Sequence, residues 1–115
     1  KNMMTHSPID LTRLAFKMKL KPGFAEEYKR RHAAIWPELS ALLKKTGICD
    51  YSIFLDEETN TLFAVQKVDV SAGSSQDLGH HPVVKKWWAY MADIMETNAD
   101  QSPVTIPLRE VFYLE

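Results

Sequence analysis

Hydrophobic and polar residues alternate along three segments of the chain, and a period of two is typical of half-buried strands. The first three predicted strands cover 14–20, 49–55 and 62–70. A stretch of Asp, Glu, Thr and Asn at 56–60 separates the second from the third and predicts a hairpin turn. A last strand is predicted over 108–114, which contains Val, Phe, Tyr and Leu.

Between the first two strands the apolar spacing changes to that of a helix running from Phe24 to about Lys45. Gly47 is expected to cap it. Pro37 removes a backbone donor and crowds the carbonyl four residues earlier, so a kink or break is predicted just after His32. One face of this helix carries Phe24, Tyr28, His32, Ile35, Leu39 and Leu42. The solvated face is expected to consist of Glu26, Glu27, Lys29, Arg30 and Arg31.

A second helix is predicted from Pro82, a residue suited to the first helical turn, after a loop rich in Gly and Ser. The resulting order, β-α-β-β-α-β, predicts an α+β, ferredoxin-like fold in which both helices cover one face of an antiparallel sheet. The other sheet face would remain uncovered. Since it carries Ala15, Phe54, Phe63 and Val65, it predicts a homodimer of the dimeric α/β barrel type.

The composition indicates one globular domain of 115 residues, 45% hydrophobic and 25% charged. Residues 1–12 are interpreted as a polar N-terminal lead-in and 13–115 as the single domain. With 14 basic and 15 acidic residues, the chain has no excess charge that would favour nucleic acid. A single cysteine, Cys49, indicates a reducing compartment, and the absence of a long apolar run argues against a membrane span. We therefore expect a cytoplasmic protein.

Tyr28 and His32 are the first candidates for chemistry. Four residues apart on one helix face, they can contact the same small ligand, and histidine exchanges protons near neutral pH. The alternative is a core histidine that bonds to a carbonyl freed by the kink.

Trp87 and Trp88 are neighbours on the second helix, and their side chains point about 100° apart. One can fill the core while the other lines a cavity, where an indole offers a flat apolar surface to a pyranose. Both can equally be core residues. Tyr51, on the second strand, needs a hydrogen-bond partner if it is buried. That partner can be a ligand hydroxyl, or it can be a group of the protein, in which case the tyrosine is structural.

A metal or organic cofactor is not expected. His80 and His81 are adjacent in a loop, where their side chains should diverge, and no Cys or carboxylate lies at ligand spacing. Cys49 has no Cys-X-X-Cys partner, which argues against a thiol nucleophile. No nucleotide-binding or nucleophile-elbow motif is present.

Four longer segments resemble the L-rhamnose mutarotase family: YKRRHAAIWPEL (28–39), DYSIFLDEETNTLFA (50–64), KKWWAYMADIM (85–95) and NADQSPVTIPLREVFYL (98–114). The resemblance extends over about 14–114, and the loop 70–81 departs from the family's pattern. It implies a small dimeric protein of ferredoxin-like type that interconverts the α and β anomers of L-rhamnose without a cofactor.

The same resemblance assigns roles to the candidate residues. It makes His32 the proton donor, and it places Tyr28, Tyr51, Trp87 and Trp88 around the sugar. In the expected reaction, the His32 imidazolium protonates the ring oxygen, and a tyrosine or a water takes the proton of the anomeric hydroxyl. Two alternatives remain: a monooxygenase with the same dimeric fold, and a non-enzymatic sugar- or metabolite-binding dimer.

Overall fold

The computed structural model describes residues 11–115, so most of the predicted N-terminal lead-in lies outside the described residues. The main elements are β1 (Leu11–Lys19), α1 (Ala25–Ala33), α2 (Pro37–Lys45), β2 (Cys49–Asp56), β3 (Thr61–Asp69), α3 (Pro82–Met91) and β4 (Ile106–Leu108). Short 3₁₀ turns cover Ser75–Asp77 and Ala92–Ile94. The four strands form one antiparallel sheet in the order β2-β3-β1-β4, which confirms the ferredoxin-like fold.

The hydrophobic core lies between one face of this sheet and the helices. Side chains alternate between the two faces of a strand, and the register pairs Phe16 with Ala64 and Met18 with Leu62 on the covered face. On the opposite face Ala15 pairs with Val65, and Phe54 pairs with Phe63. The Phe54 side chain is 64% exposed. The predicted apolar residues therefore do lie on the face away from the helices.

The predicted break after His32 is present, and it divides the first helical segment into α1 and α2. Ala34 caps α1, and Pro37 starts α2 at its first position, where its missing N–H costs no hydrogen bond. His32 consequently lies in the last turn of α1. Gly47 follows α2 with a φ of +91°, a left-handed conformation that suits glycine at a helix end.

A bulge in β2 interrupts the regular alternation predicted over 49–55, so Cys49 and Tyr51 do not share a face. The pairing shifts between Cys49 and Ser52, and Asp50 adopts a φ of +47°. Because the extra residue reverses the alternation, Cys49 pairs with Lys67 and is exposed, while Tyr51 points towards the covered face.

The prediction of a last strand over 108–114 is wrong. Only Ile106–Leu108 pairs with β1, opposite Ala15–Lys17. Beyond it, the Arg13 guanidinium lies 4.3 Å from the centre of the Tyr113 ring, and Phe112 is 78% exposed. Residues 109–115 have the side chains of a strand, but they form no ladder with the described part of the chain.

Candidate functional site

A cavity of about 790 Å³ opens between the helices and the covered face of β2 and β3. This volume is typical of small-molecule sites. All five predicted site residues line it: Tyr28, His32, Tyr51, Trp87 and Trp88. The fold thus brings together residues that are up to 60 positions apart in the sequence.

His32 is held by aromatic contacts on two sides. Its ring stacks on Tyr28 at 4.2 Å between centroids and meets the edge of Trp87 at 5.4 Å. Its Nδ1 lies 3.1 Å from the Tyr28 carbonyl oxygen. Because a carbonyl can only accept, Nδ1 must carry the hydrogen, and Nε2 is left to accept and return protons. Within residues 11–115, no protein group hydrogen-bonds to Nε2.

The pKa of His32 is lowered from its ordinary value of 6.5, because burial disfavours the charged ring. The hydrogen bond to the Tyr28 carbonyl opposes this effect without cancelling it. Neutral imidazole is therefore the main form at pH 7, and Nε2 is then able to accept a proton.

Arg31 anchors α1 to the end of α3, which corrects its expected place on a solvated helix face. The residue is only 9% exposed. Its guanidinium donates to the Asp93 carboxylate at 2.8 and 3.2 Å, to Glu27 at 2.7 Å and to the Tyr90 carbonyl at 2.7 Å. Since His32 is next to Arg31 in the chain and Trp87 is one turn from Tyr90, this anchor supports the contact between the His32 and Trp87 rings.

The two tryptophans have different surroundings. Trp87 is buried in the core, where its ring meets Trp36 edge-on at 5.1 Å, and it also reaches the cavity. Trp88 is partly buried and forms a second part of the cavity wall. Gly79 packs directly against the Trp88 ring, because a Cβ added there would lie 2.6 Å from Cζ3.

The Tyr51 hydroxyl lies at a polar corner of the cavity that was not predicted from the sequence. Ser75 Oγ is 3.5 Å from it, and Gln66 and Gln76 both hydrogen-bond to Ser75. Burial raises the pKa of Tyr51, and burial together with the nearby Tyr51 raises that of Tyr28. Both phenols therefore keep their protons at neutral pH. The sequence carries one signal for this polar corner, because Gln66 interrupts the apolar residues on one face of the predicted strand.

His80 and His81 do not diverge as predicted. Their rings lie 4.2 Å apart, because the chain turns here and the His81 N–H bonds to the Leu78 carbonyl. Neither residue lines the cavity. Across residues 11–115, no three His, Cys, Asp or Glu side chains are grouped as metal ligands. None of the helices formed by these residues is long and apolar enough to cross a membrane.

Comparison with known proteins decides the family. A sequence model of the family described as L-rhamnose mutarotase matches residues 13–114. The L-rhamnose mutarotase of Bacteroides thetaiotaomicron is 63% identical over 105 residues, which cover 91% of this chain and all of that protein. The chain belongs to the L-rhamnose mutarotase family. The resemblance found in the sequence is thereby confirmed.

Solved structures agree with membership of the mutarotase family. The crystal structure of the L-rhamnose mutarotase from Formosa agariphila superposes with a TM-score of 0.82 at 58% identity, covering 90% of this chain and 99% of that one. A Caulobacter crescentus protein named as a candidate antibiotic biosynthesis monooxygenase has a TM-score of 0.56 at 19% identity, covering 89% and 91%. The second likeness shows the fold alone, so the monooxygenase alternative gains no support.

Proposed function

We propose that this chain interconverts the α and β anomers of L-rhamnose and that Nε2 of His32 transfers the proton. The arrangement of His32 carries the proposal. One ring nitrogen is fixed by the Tyr28 carbonyl, and the other belongs to a side chain that lines a cavity of suitable size. Tyr28, Tyr51, Trp87 and Trp88 would form the surrounding surface for the sugar.

The chemistry needs one proton removed from the anomeric oxygen O1 and one delivered to the ring oxygen O5. Neutral His32 takes the proton from the anomeric hydroxyl, and the resulting imidazolium returns it to the ring oxygen as the C1–O5 bond breaks and C1=O1 forms. Rotation about the C1–C2 bond turns the other face of the C1 carbonyl towards O5, and the reverse steps then close the ring to the other anomer. Because O1 and O5 are both bonded to C1, a single imidazole can serve both atoms.

The tyrosines are poor candidates for the base in this reaction. Burial keeps the phenols of Tyr28 and Tyr51 protonated, so each can donate a hydrogen bond but cannot readily accept a proton from the sugar. The indole faces suit the C–H surface and the methyl group of a 6-deoxy sugar. This division leaves proton transfer to His32 and binding to the aromatic residues.

The proposal is tested by His32→Asn, which keeps some hydrogen bonding but removes the titrating group. Anomer exchange of L-rhamnose, measured by saturation-transfer NMR, should fall by about 10²-fold or more, the usual loss for an acid/base residue. Tyr28→Phe should lose less, because the ring is retained. In the wild type the rate should fall on acidification through the lowered pKa of His32, below pH 6.5, and this limb should vanish in the variant.

His80→Asn is the matched control, since it makes the same chemical change outside the cavity, and its exchange rate should equal that of the wild type. A His32→Asn protein that is folded and exchanges anomers at the wild-type rate would make His32 a core residue. Sugar binding without any enzyme-dependent exchange would instead support the non-enzymatic alternative.

We also propose that the chain works as a homodimer through the uncovered sheet face and the segment 109–115. On the uncovered face Phe54 is 64% exposed and Ile106 50%, and in the segment 109–115 Phe112 is 78% exposed. Exposed apolar surface of this kind is typical of an interface, and a strand-like segment without a ladder can pair with a second copy.

The exposed free thiol of Cys49 suits a reducing compartment, so the cytoplasm is the proposed location.

A further inference from the structure

Gln66 is a fully buried amide on β3, with 0% of its surface exposed. A buried polar group is costly unless it is hydrogen-bonded, and both ends of this amide are bonded to Ser75. Its Oε1 accepts from the Ser75 backbone N–H at 2.9 Å, and its Nε2 donates to Ser75 Oγ at 3.0 Å. Because the backbone N–H can only donate, the orientation of the amide is fixed.

The Ser75 hydroxyl can make only one further hydrogen bond, as a donor. Its oxygen accepts from Gln66 Nε2 and also from Gln76 Nε2 at 3.2 Å, so both lone pairs are used. Its one hydrogen is then available for Tyr51 Oη, at a long 3.5 Å. Tyr51 is the acceptor in this contact, and the hydrogen of the phenol is turned away from Ser75.

Tyr51 and Ser75 both line the cavity, whereas Gln66 lies behind them. We propose that Gln66 and Ser75 are positioning residues that hold the Tyr51 hydroxyl as a hydrogen-bond donor into the cavity, so that it recognises the oxygen of one sugar hydroxyl on C2, C3 or C4. This inference rests on the proposed function and adds to it the direction of one hydrogen bond, from the Tyr51 hydroxyl to the sugar. The sugar must offer an acceptor at that position, and a donor alone will not satisfy the site.

The direction can be tested with pairs of L-rhamnose analogues in which one hydroxyl on C2, C3 or C4 is replaced either by hydrogen or by fluorine. Fluorine cannot donate a hydrogen bond but is a weak acceptor, whereas hydrogen is neither. At the position that Tyr51 contacts, the fluoro sugar should bind about 2- to 3-fold more tightly than the deoxy sugar, the lower end of the range for one neutral hydrogen bond, because fluorine is a weak acceptor. Binding is measured by titration of tryptophan fluorescence or by calorimetry.

The variants then assign this preference to the three residues. Tyr51→Phe should abolish it, and Ser75→Ala and Gln66→Met should reduce it. Ser52→Ala, which removes a hydroxyl on the exposed side of β2, should leave it unchanged. Because each preference is a ratio within one protein, a general loss of stability does not mimic the effect. If Gln66→Met fails to fold, Ser75→Ala still decides the matter.

The inference is overturned if no position shows a fluoro preference, or if the preference survives Tyr51→Phe or is untouched by Ser75→Ala. Its failure differs from failure of the proposed function, because anomer exchange of L-rhamnose is measured on the same wild-type protein. A protein that exchanges anomers but lacks the preference loses only the directional assignment. A protein that does not exchange them loses the proposed function.

Discussion

Replacing Gly79 with alanine is expected to disturb the cavity wall through the Trp88 ring. An added Cβ would lie 2.6 Å from Cζ3 and 2.9 Å from Cη2 of that ring. Carbon atoms pack at about 3.5–4.0 Å, so the indole would have to move by about 1 Å. Overpacking of this kind typically costs about 1–3 kcal/mol, and we expect a loss of that size in the free energy of unfolding.

The assay combines urea unfolding with titration of L-rhamnose. Because Trp88 lines the cavity, Gly79→Ala should weaken sugar binding as well as stability. Trp88→Phe provides the control, since a smaller ring leaves room for the new methyl group. The double variant should therefore lose less stability than the sum of the two single changes, by about 0.5–3 kcal/mol.

Two results would refute this reasoning about the packing of Gly79. One is a Gly79→Ala protein with wild-type stability and affinity. The other is a stability loss of the same size with tryptophan or phenylalanine at position 88. The first would mean that the ring moves freely, and the second that the strain lies elsewhere in the loop.

Two further predictions concern assembly and acid stability. Phe112→Ser should shift a dimer towards monomer in sedimentation equilibrium at micromolar concentration, whereas Lys86→Ser on α3 should not, and a wild-type monomer would contradict the homodimer. The two arginines beside Glu27 lower its pKa from 4.5 to about 2, so the stability that Glu27 contributes is present above pH 4.5 and is lost as the pH falls towards 2. Arg31→Met should flatten this pH dependence in urea unfolding, and an unchanged slope would count against the Arg31 anchor.

The elements that follow from local rules were predictable from the sequence. Alternation predicted the hairpin of β2 and β3, and the chemistry of Pro37 predicted the break after His32. The last strand was not predictable in this way. Residues 109–115 have suitable side chains, but a strand also needs a backbone partner, and local sequence does not supply one.

The site was predictable only in part, for a related reason. Tyr28 and His32 share a helix face, so their proximity follows from spacing. Arg31 has the same sequence signature as a solvated residue, and only the approach of Asp93 from a distant element buries it. The contact between Gln66 and Ser75 likewise depends on how the loop before α3 folds over the sheet, which spacing along the chain does not specify.

The division of the first helical segment at Pro37 also has an electrostatic consequence. Because α1 ends at Ala33, His32 lies in the turn where the peptide dipoles present their negative end. That field favours a positive ring by about 0.3–1 kcal/mol. In the proposed reaction it would stabilise the imidazolium, against the burial that keeps the resting ring neutral. An uninterrupted helix would place His32 in mid-helix, away from this field, so Pro37 would influence the proposed proton transfer although its side chain does not line the cavity.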